Sequence, residues 1–230
     1  MLNKKDFLKY ASKLAFPIMI QNLIGTLVNL ADTVMLGYVS QTAMSASSLA
    51  NQYTFILFCL YYGMATGTSV LCAQYWGKGD KKTVEKILGL AERISLISSF
   101  IFFVISFAMP TTIMKIFTNS PDTIAAGSEY LKVISFSFVF MGFSQVFMSA
   151  LRSVGKIILP SITYIVSLCV NVLCNATFIF GLFGLPKLGV TGVALGTVIA
   201  RMVEVLICLV YSLNSSDVRF RIKYFFAKSG

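Results

Sequence analysis

Asp32 is the residue at which chemistry in this sequence would begin. It lies in the second half of FPIMIQNLIGTLVNLADTVMLG (16–37), a run long and apolar enough to cross a bilayer core, which takes about 20 residues. An ionisable side chain at that depth costs a few kcal/mol even on the lenient insertion scale, so it is a functional candidate by default. Asn22, Gly25, Asn29 and Asp32 follow at steps of three, four and three and share one helical face, while Leu23, Leu27, Leu30 and Val34 spread over the others. That polar stripe must face protein or water. Gln21, Asn22 and Asn29 are therefore candidate cavity-lining residues, as are Met141 and Gln145 further along the chain.

Two other constellations carry polar groups into apolar runs. Ser167, Asn171 and Asn175 recur at steps of four and stack in one line. Amides in a membrane helix serve as interhelical glue or as ligands, and the spacing leaves both open. Thr197, Arg201 and Glu204 lie beside a smooth ridge of Gly192, Gly196 and Ala200. Arg201 and Glu204 are one turn apart and can pair; since intramembrane charges usually pair, we read them as a structural ion pair that locks helix packing. Glu92 and Arg93 read as a solvated or paired helix end, because long side chains snorkel.

Enzymatic chemistry has little to work with. The sequence has no histidine, no HExxH, no GxSxG and no paired aspartates on facing helices, so proton chemistry falls to carboxylates. Five cysteines, an odd count without CxxC spacing, argue against a disulfide frame or a zinc site. No resident cofactor is expected, and no metal beyond a coupling cation.

These residues must be positioned by membrane helices. Of 230 residues, 57% are hydrophobic and 12% charged, against about 25% charged in soluble domains. The net charge of +10 does not indicate nucleic acid, because the basic residues gather in short runs between apolar stretches. Six spans are expected, at about 14–38, 53–75, 83–109, 124–151, 160–181 and 190–213, as one lobe of residues 1–213, followed by a basic tail at 214–230. Ser40 to Asn51 reads as a polar connection, and Gly63 and Gly67 as a small-xxx-small site for a close helix neighbour. Lysine and arginine concentrate before the first span, after the second and fourth, and in the tail, whereas the other loops hold Lys115, Lys132 and Lys187. The positive-inside rule then puts both termini in the cytoplasm. The first apolar run is too long for the roughly 7–15-residue core of a signal peptide, so it is expected to stay in the mature protein.

An internal repeat accompanies this layout. Pro17 and Asp32 are 15 residues apart, as are Pro160 and Asn175, with Asn29 and Asn171 one turn earlier and Gly37 and Gly181 shortly after. Many transporters are built from such repeats.

Taken in order, P-x14-D in the first span, AQYWGKGD after the second, ALRSVGK-x3-P after the fourth, N-x3-N in the fifth and GVTGVALGTVIAR opening the sixth resemble the MATE (multidrug and toxic compound extrusion) family. The resemblance covers essentially the whole chain. It implies an all-α integral membrane protein whose six transmembrane helices form one lobe, the amino-terminal one, of a twelve-helix two-lobed transporter. It also implies a cation site made of Asp32, Asn171, Asn175 and Thr197, which a proton or sodium ion would occupy as coupling ion. The activity implied is antiport that exports amphiphilic organic cations across a prokaryotic inner membrane, with lipid and a second six-helix lobe, from a carboxy-terminal half or a homodimer partner, as partners. Two alternatives stay open: a lipid-linked saccharide flippase of a related family, which would want basic groups to hold phosphates, and a non-transporting half-length membrane subunit.

Overall fold

The computed structural model describes residues 12, 15, 16, 19, 20, 23, 26, 30, 32–184, 186–214 and 224. All regular structure among them is helical. A short helical stretch, α1 (32–37), turns at residues 38–40 into α2 (Gln41–Gly77). There follow α3 (Lys81–Ala108), α4 (Pro110–Phe117), α5 (Pro121–Ser153), α6 (Ile158–Phe180), a single 3-10 turn (Leu182–Gly184) and α7 (Gly189–Asn214). Of these, α2, α3, α5, α6 and α7 are long and apolar enough to cross a membrane.

Sequence-local causes set the boundaries. The Ser40 side chain caps α2 by accepting from the Ala43 N–H at 2.9 Å, and Asp80 caps α3 by accepting from the Thr83 N–H at 3.1 Å. Asp80 also accepts from the Thr83 hydroxyl, and these bonds hold its carboxyl below the usual carboxylate range. Pro110 and Pro121 occupy the first turns of α4 and α5, where the missing N–H costs nothing. Gly79, Gly155 and Gly181 take positive φ at the chain reversals, a conformation that other L-residues avoid.

Several boundaries differ from the expectations. Residues 41–51 are helical, not a polar connection: Ala43, Ala46, Ser47 and Ala50 recur on one face and are buried, so smallness there serves close packing. The helix is 37 residues long, about 55 Å at 1.5 Å per residue, against about 30 Å for a bilayer core. The stretch from Pro110 to Lys132 is also mostly helical, forming α4 and the first turns of α5. A methyl group placed on Gly63 or Gly67 would have no atom within 4 Å. No helix approaches them among the described residues, because α2 packs through the other face, along Leu57, Tyr61, Ala65 and Thr68.

The central helix is α5. In its most apolar stretch 72% of residues are buried, against 28% in α2, α3 and α6 and 33% in α7; α2, α3, α4 and α7 pack around it, while α6 packs on α7. Two apolar clusters form along its length. One joins Leu36, Leu57, Tyr61, Phe138, Ile179 and Ala194; the other joins Cys72, Val84, Leu88, Phe147, Leu151 and Cys208. The second cluster gathers the end of α2, the start of α3 and the end of α5, so the turns carrying Lys78, Lys81, Arg152 and Lys156 share one end of the bundle. All five cysteines are free; Cys72 and Cys208 are packed in this cluster, while Cys59 and Cys169 face outward.

Candidate functional site

The polar constellations of α6 and α7 meet because each helix keeps a single buried face. On α6 that face is Pro160, Thr163, Ser167, Asn171, Asn175 and Ile179, and on α7 it is Gly192, Gly196, Ala200, Glu204 and Cys208. Small residues on α7 let the backbones close up. A Cβ on Gly192 would lie 2.7 Å from the Phe178 Cβ, and one on Gly196 would collide with the Asn175 side-chain oxygen. At the near end Leu36, 2% exposed, ties α1 into the apolar cluster that contains Ile179, Val193 and Ala194. That anchoring brings Asp32, one turn earlier, over the α6–α7 seam.

Asp32, Asn171, Asn175 and Thr197 form one hydrogen-bonded chain. The Asn175 amide donates to Asp32 Oδ1 at 2.9 Å and to Asn171 Oδ1 at 3.2 Å, and the Asn171 amide donates to Thr197 Oγ1 at 3.2 Å. Thr197 in turn donates to the Val193 carbonyl at 3.1 Å. Asp32 and Asn175, counterparts in the 15-residue repeat, are thus direct partners. The Asn175 oxygen is buried with no hydrogen-bond partner among the described residues, an acceptor in excess next to a carboxylate. Among the described residues no lysine or arginine forms an ion pair with Asp32.

A cavity of about 120 Å³ opens beside this chain, lined by Asp32, Tyr164, Ser167, Asn171, Thr197, Arg201 and Glu204 among others. Each water needs roughly 10–15 Å³ of such space, so the cavity holds several waters or a small hydrated cation. Drug-sized ligands take about 300–1,000 Å³; this one admits ions, not drugs. At its other end Arg201 pairs with Glu204 at 2.8 and 2.9 Å, and the Ser144 hydroxyl on α5 donates to the same carboxylate at 3.0 Å. That arrangement satisfies both charges and ties α7 to α5.

The other expected site residues lie elsewhere. Met141 is buried in the first apolar cluster and Gln145 is half-buried on the same helix; neither lines this cavity. Gln21, Asn22 and Asn29, with Pro17, fall outside the described residues. Ser144 and Tyr164 were not anticipated. Ser144 is one of several serines on α5 and nothing in its spacing marks it, whereas Tyr164 precedes Ser167 by one turn and could have been placed on its face. Glu92 overturns the expectation of a solvated or paired helix end: it is 0% exposed and neither carboxylate oxygen has a partner among the described residues. Snorkelling fails there because Glu92 lies on the buried face of α3, with Leu88 and Ser95.

Fold and site together define a bundle of membrane-length helices with a small polar cavity among α1, α6 and α7. The MatE family pattern matches residues 17–177, and the chain belongs to that family, whose members are transporters rather than enzymes. A probable multidrug resistance protein NorM of Thermotoga maritima is 30% identical over 192 residues, 83% of this chain and 41% of the relative. The uncharacterized transporter YisQ of Bacillus subtilis is 30% identical over 223 residues, 93% of this chain and 47% of the relative. The structure of a multidrug resistance MATE family transporter of the MOP superfamily, in its outward-facing conformation, superposes with a TM-score of 0.83 at 21% identity. That match covers 94% of this chain and 48% of the other. The chain therefore spans about half the length of the relatives it matches.

Proposed function

We propose that this chain forms the amino-terminal lobe of a cation-coupled exporter of amphiphilic organic cations, and that Asp32, Asn171, Asn175 and Thr197 hold the coupling ion, a proton or sodium. The observation that carries this is a carboxylate held by one amide, with no basic partner among the described residues, facing a cavity of ionic size beside a spare amide oxygen. A proton binds there by neutralising Asp32. Sodium binds through the hard oxygens of the carboxylate, the two amides and the threonine hydroxyl, the ligand type such cations take. Either ion changes the charge between α1, α6 and α7, and that change is the means by which substrate is released. The substrate itself, too large for this cavity, lies between this lobe and a second one, supplied by a further half or a second copy. The lobe sits in a prokaryotic inner membrane with its lysine-bearing turns inside.

Arg201 weighs against the saccharide-flippase alternative. A phosphate-binding cavity needs a free cation, and this one is committed to Glu204 at 2.8 Å. The test is efflux of a fluorescent organic cation from proteoliposomes holding the full-length protein, driven in turn by an imposed proton or sodium gradient. One gradient should drive efflux in the unsubstituted protein and neither in Asp32→Asn; undiminished coupled efflux by that variant would refute the reading.

A further inference from the structure

Beyond the Asp32 cavity, one buried titratable group has no task. Glu92 lies on the packed face of α3 between Leu88 and Ser95, 0% exposed, and among the described residues neither its carboxyl oxygens nor the Ser95 hydroxyl has a hydrogen-bond partner. Its neighbours across the interface are close. A Cβ on Gly142 of α5 would sit 2.8 Å from the Ser95 hydroxyl, so α3 and α5 meet there at backbone distance. On α7, Cys208 lies within electrostatic reach of both Glu92 and Glu204, which makes Glu92 the next carboxyl beyond the Arg201–Glu204 pair.

Among the described residues, none hydrogen-bonds to the Glu92 carboxyl. On α3, Arg93 is exposed, and Glu85 carries the same sign and has interactions of its own. On α7, Glu204 is held by Arg201 and Ser144. On α2, the Tyr61 hydroxyl is 2.7 Å from Ser99 Oγ and donates to the Phe138 carbonyl at 3.0 Å, and Cys72 is buried as a free thiol. On α5, Arg152 lies near the helix end, among the last residues of α5. Tyr224 of the tail packs against Gly89, one turn before Glu92. An ionised carboxylate with no partner in such an interior is strongly disfavoured, and in practice the group neutralises. Protonation is what neutralises a carboxyl in such a setting.

We propose that Glu92 is a second proton-binding carboxyl of this lobe, protonated while α3, α5 and α7 are packed as here and able to exchange its proton only when they part. Its place in transport, as a station between the Asp32 cavity and the basic end of the bundle, rests on the transport reading; its protonation does not. The test is therefore spectroscopic. In the full-length protein in lipid at neutral pH, infrared spectra in H2O and D2O should contain a protonated-carboxyl band that shifts on deuteration. Glu92→Gln, the nearest neutral mimic, should lose that band while Asp32→Asn keeps it, and both should purify folded. Should Glu92→Gln not purify folded, Glu92→Met supplies the same reading. Spectra unchanged by the Glu92 variants, or a band lost only in Asp32→Asn, would overturn the proposal. Because no substrate is present, failure of the transport reading would leave this result unaffected.

Discussion

The α6–α7 seam and the α3–α5 seam are built alike, with glycine against polar side chains, and they end in opposite electrostatic situations. At the first, Gly196 makes room for Asn175, whose amide reaches Asp32, and the group opens on a cavity. At the second, Gly142 makes room for Ser95 and Ser99, but Ser99 donates back to its own helix at the Ser95 carbonyl, 2.6 Å away. Serine in a membrane helix commonly satisfies itself in this way. The nearby carboxyl, Glu92, then receives no hydrogen bond among the described residues. Amides cannot easily turn back on their own helix, so they cross the seam and make a site; hydroxyls can, as Ser99 does.

Substitutions along these helices should differ widely in cost. Removing Arg201 by Arg201→Ala strands Glu204, which is 4% exposed, and should cost about 3–5 kcal/mol in denaturant unfolding. The paired change Arg201→Met with Glu204→Leu should recover most of that loss. Ser144→Ala removes one charged hydrogen bond and should cost about 1.5–3 kcal/mol. Gly192→Ala puts a methyl 2.7 Å from the fixed Phe178 Cβ, so the backbones must shift, and unfolding should show a loss of about 1–3 kcal/mol. Gly196→Ala instead meets the Asn175 amide, which can swing away; cation binding should fall more than stability does. The smallest effect belongs to Gly63→Ala, which meets nothing within 4 Å and should raise stability by about 0.5–1 kcal/mol through helix propensity. A loss of efflux from that variant with stability intact would mean that a partner surface lies on that face.

Much of this was legible in the sequence, and the reasons differ by residue. Asn171 and Asn175 were visible because amides at steps of four in an apolar run have no local use, and Arg201 and Glu204 because opposite charges one turn apart can pair. The helices α3, α5, α6 and α7 were readable from their apolar length, to within a few residues at each end. Residues 41–51 were not, since Ala and Ser at 43–50 look like a connection when polarity is counted and like a close-packing face only once a neighbour is present. Glu92 was misjudged because its sequence neighbour Arg93 suggested a surface pair, whereas consecutive residues on a helix point in different directions. Ser144 could not have been found, because its partner is fixed by how α5 and α7 pack.

In the proposed function the coupling ion binds at Asp32 and its amides. By linkage, an ion that opposes substrate must weaken substrate affinity by the same factor as substrate weakens its own. The direct measurement is the Kd of a fluorescent organic cation for the full-length protein, titrated with and without sodium and at acid and alkaline pH, for the unsubstituted protein and Asp32→Asn. Affinity should depend on one of the two ions in the former and on neither in the latter, with substrate still bound. An ion dependence that survives intact in Asp32→Asn would contradict the account.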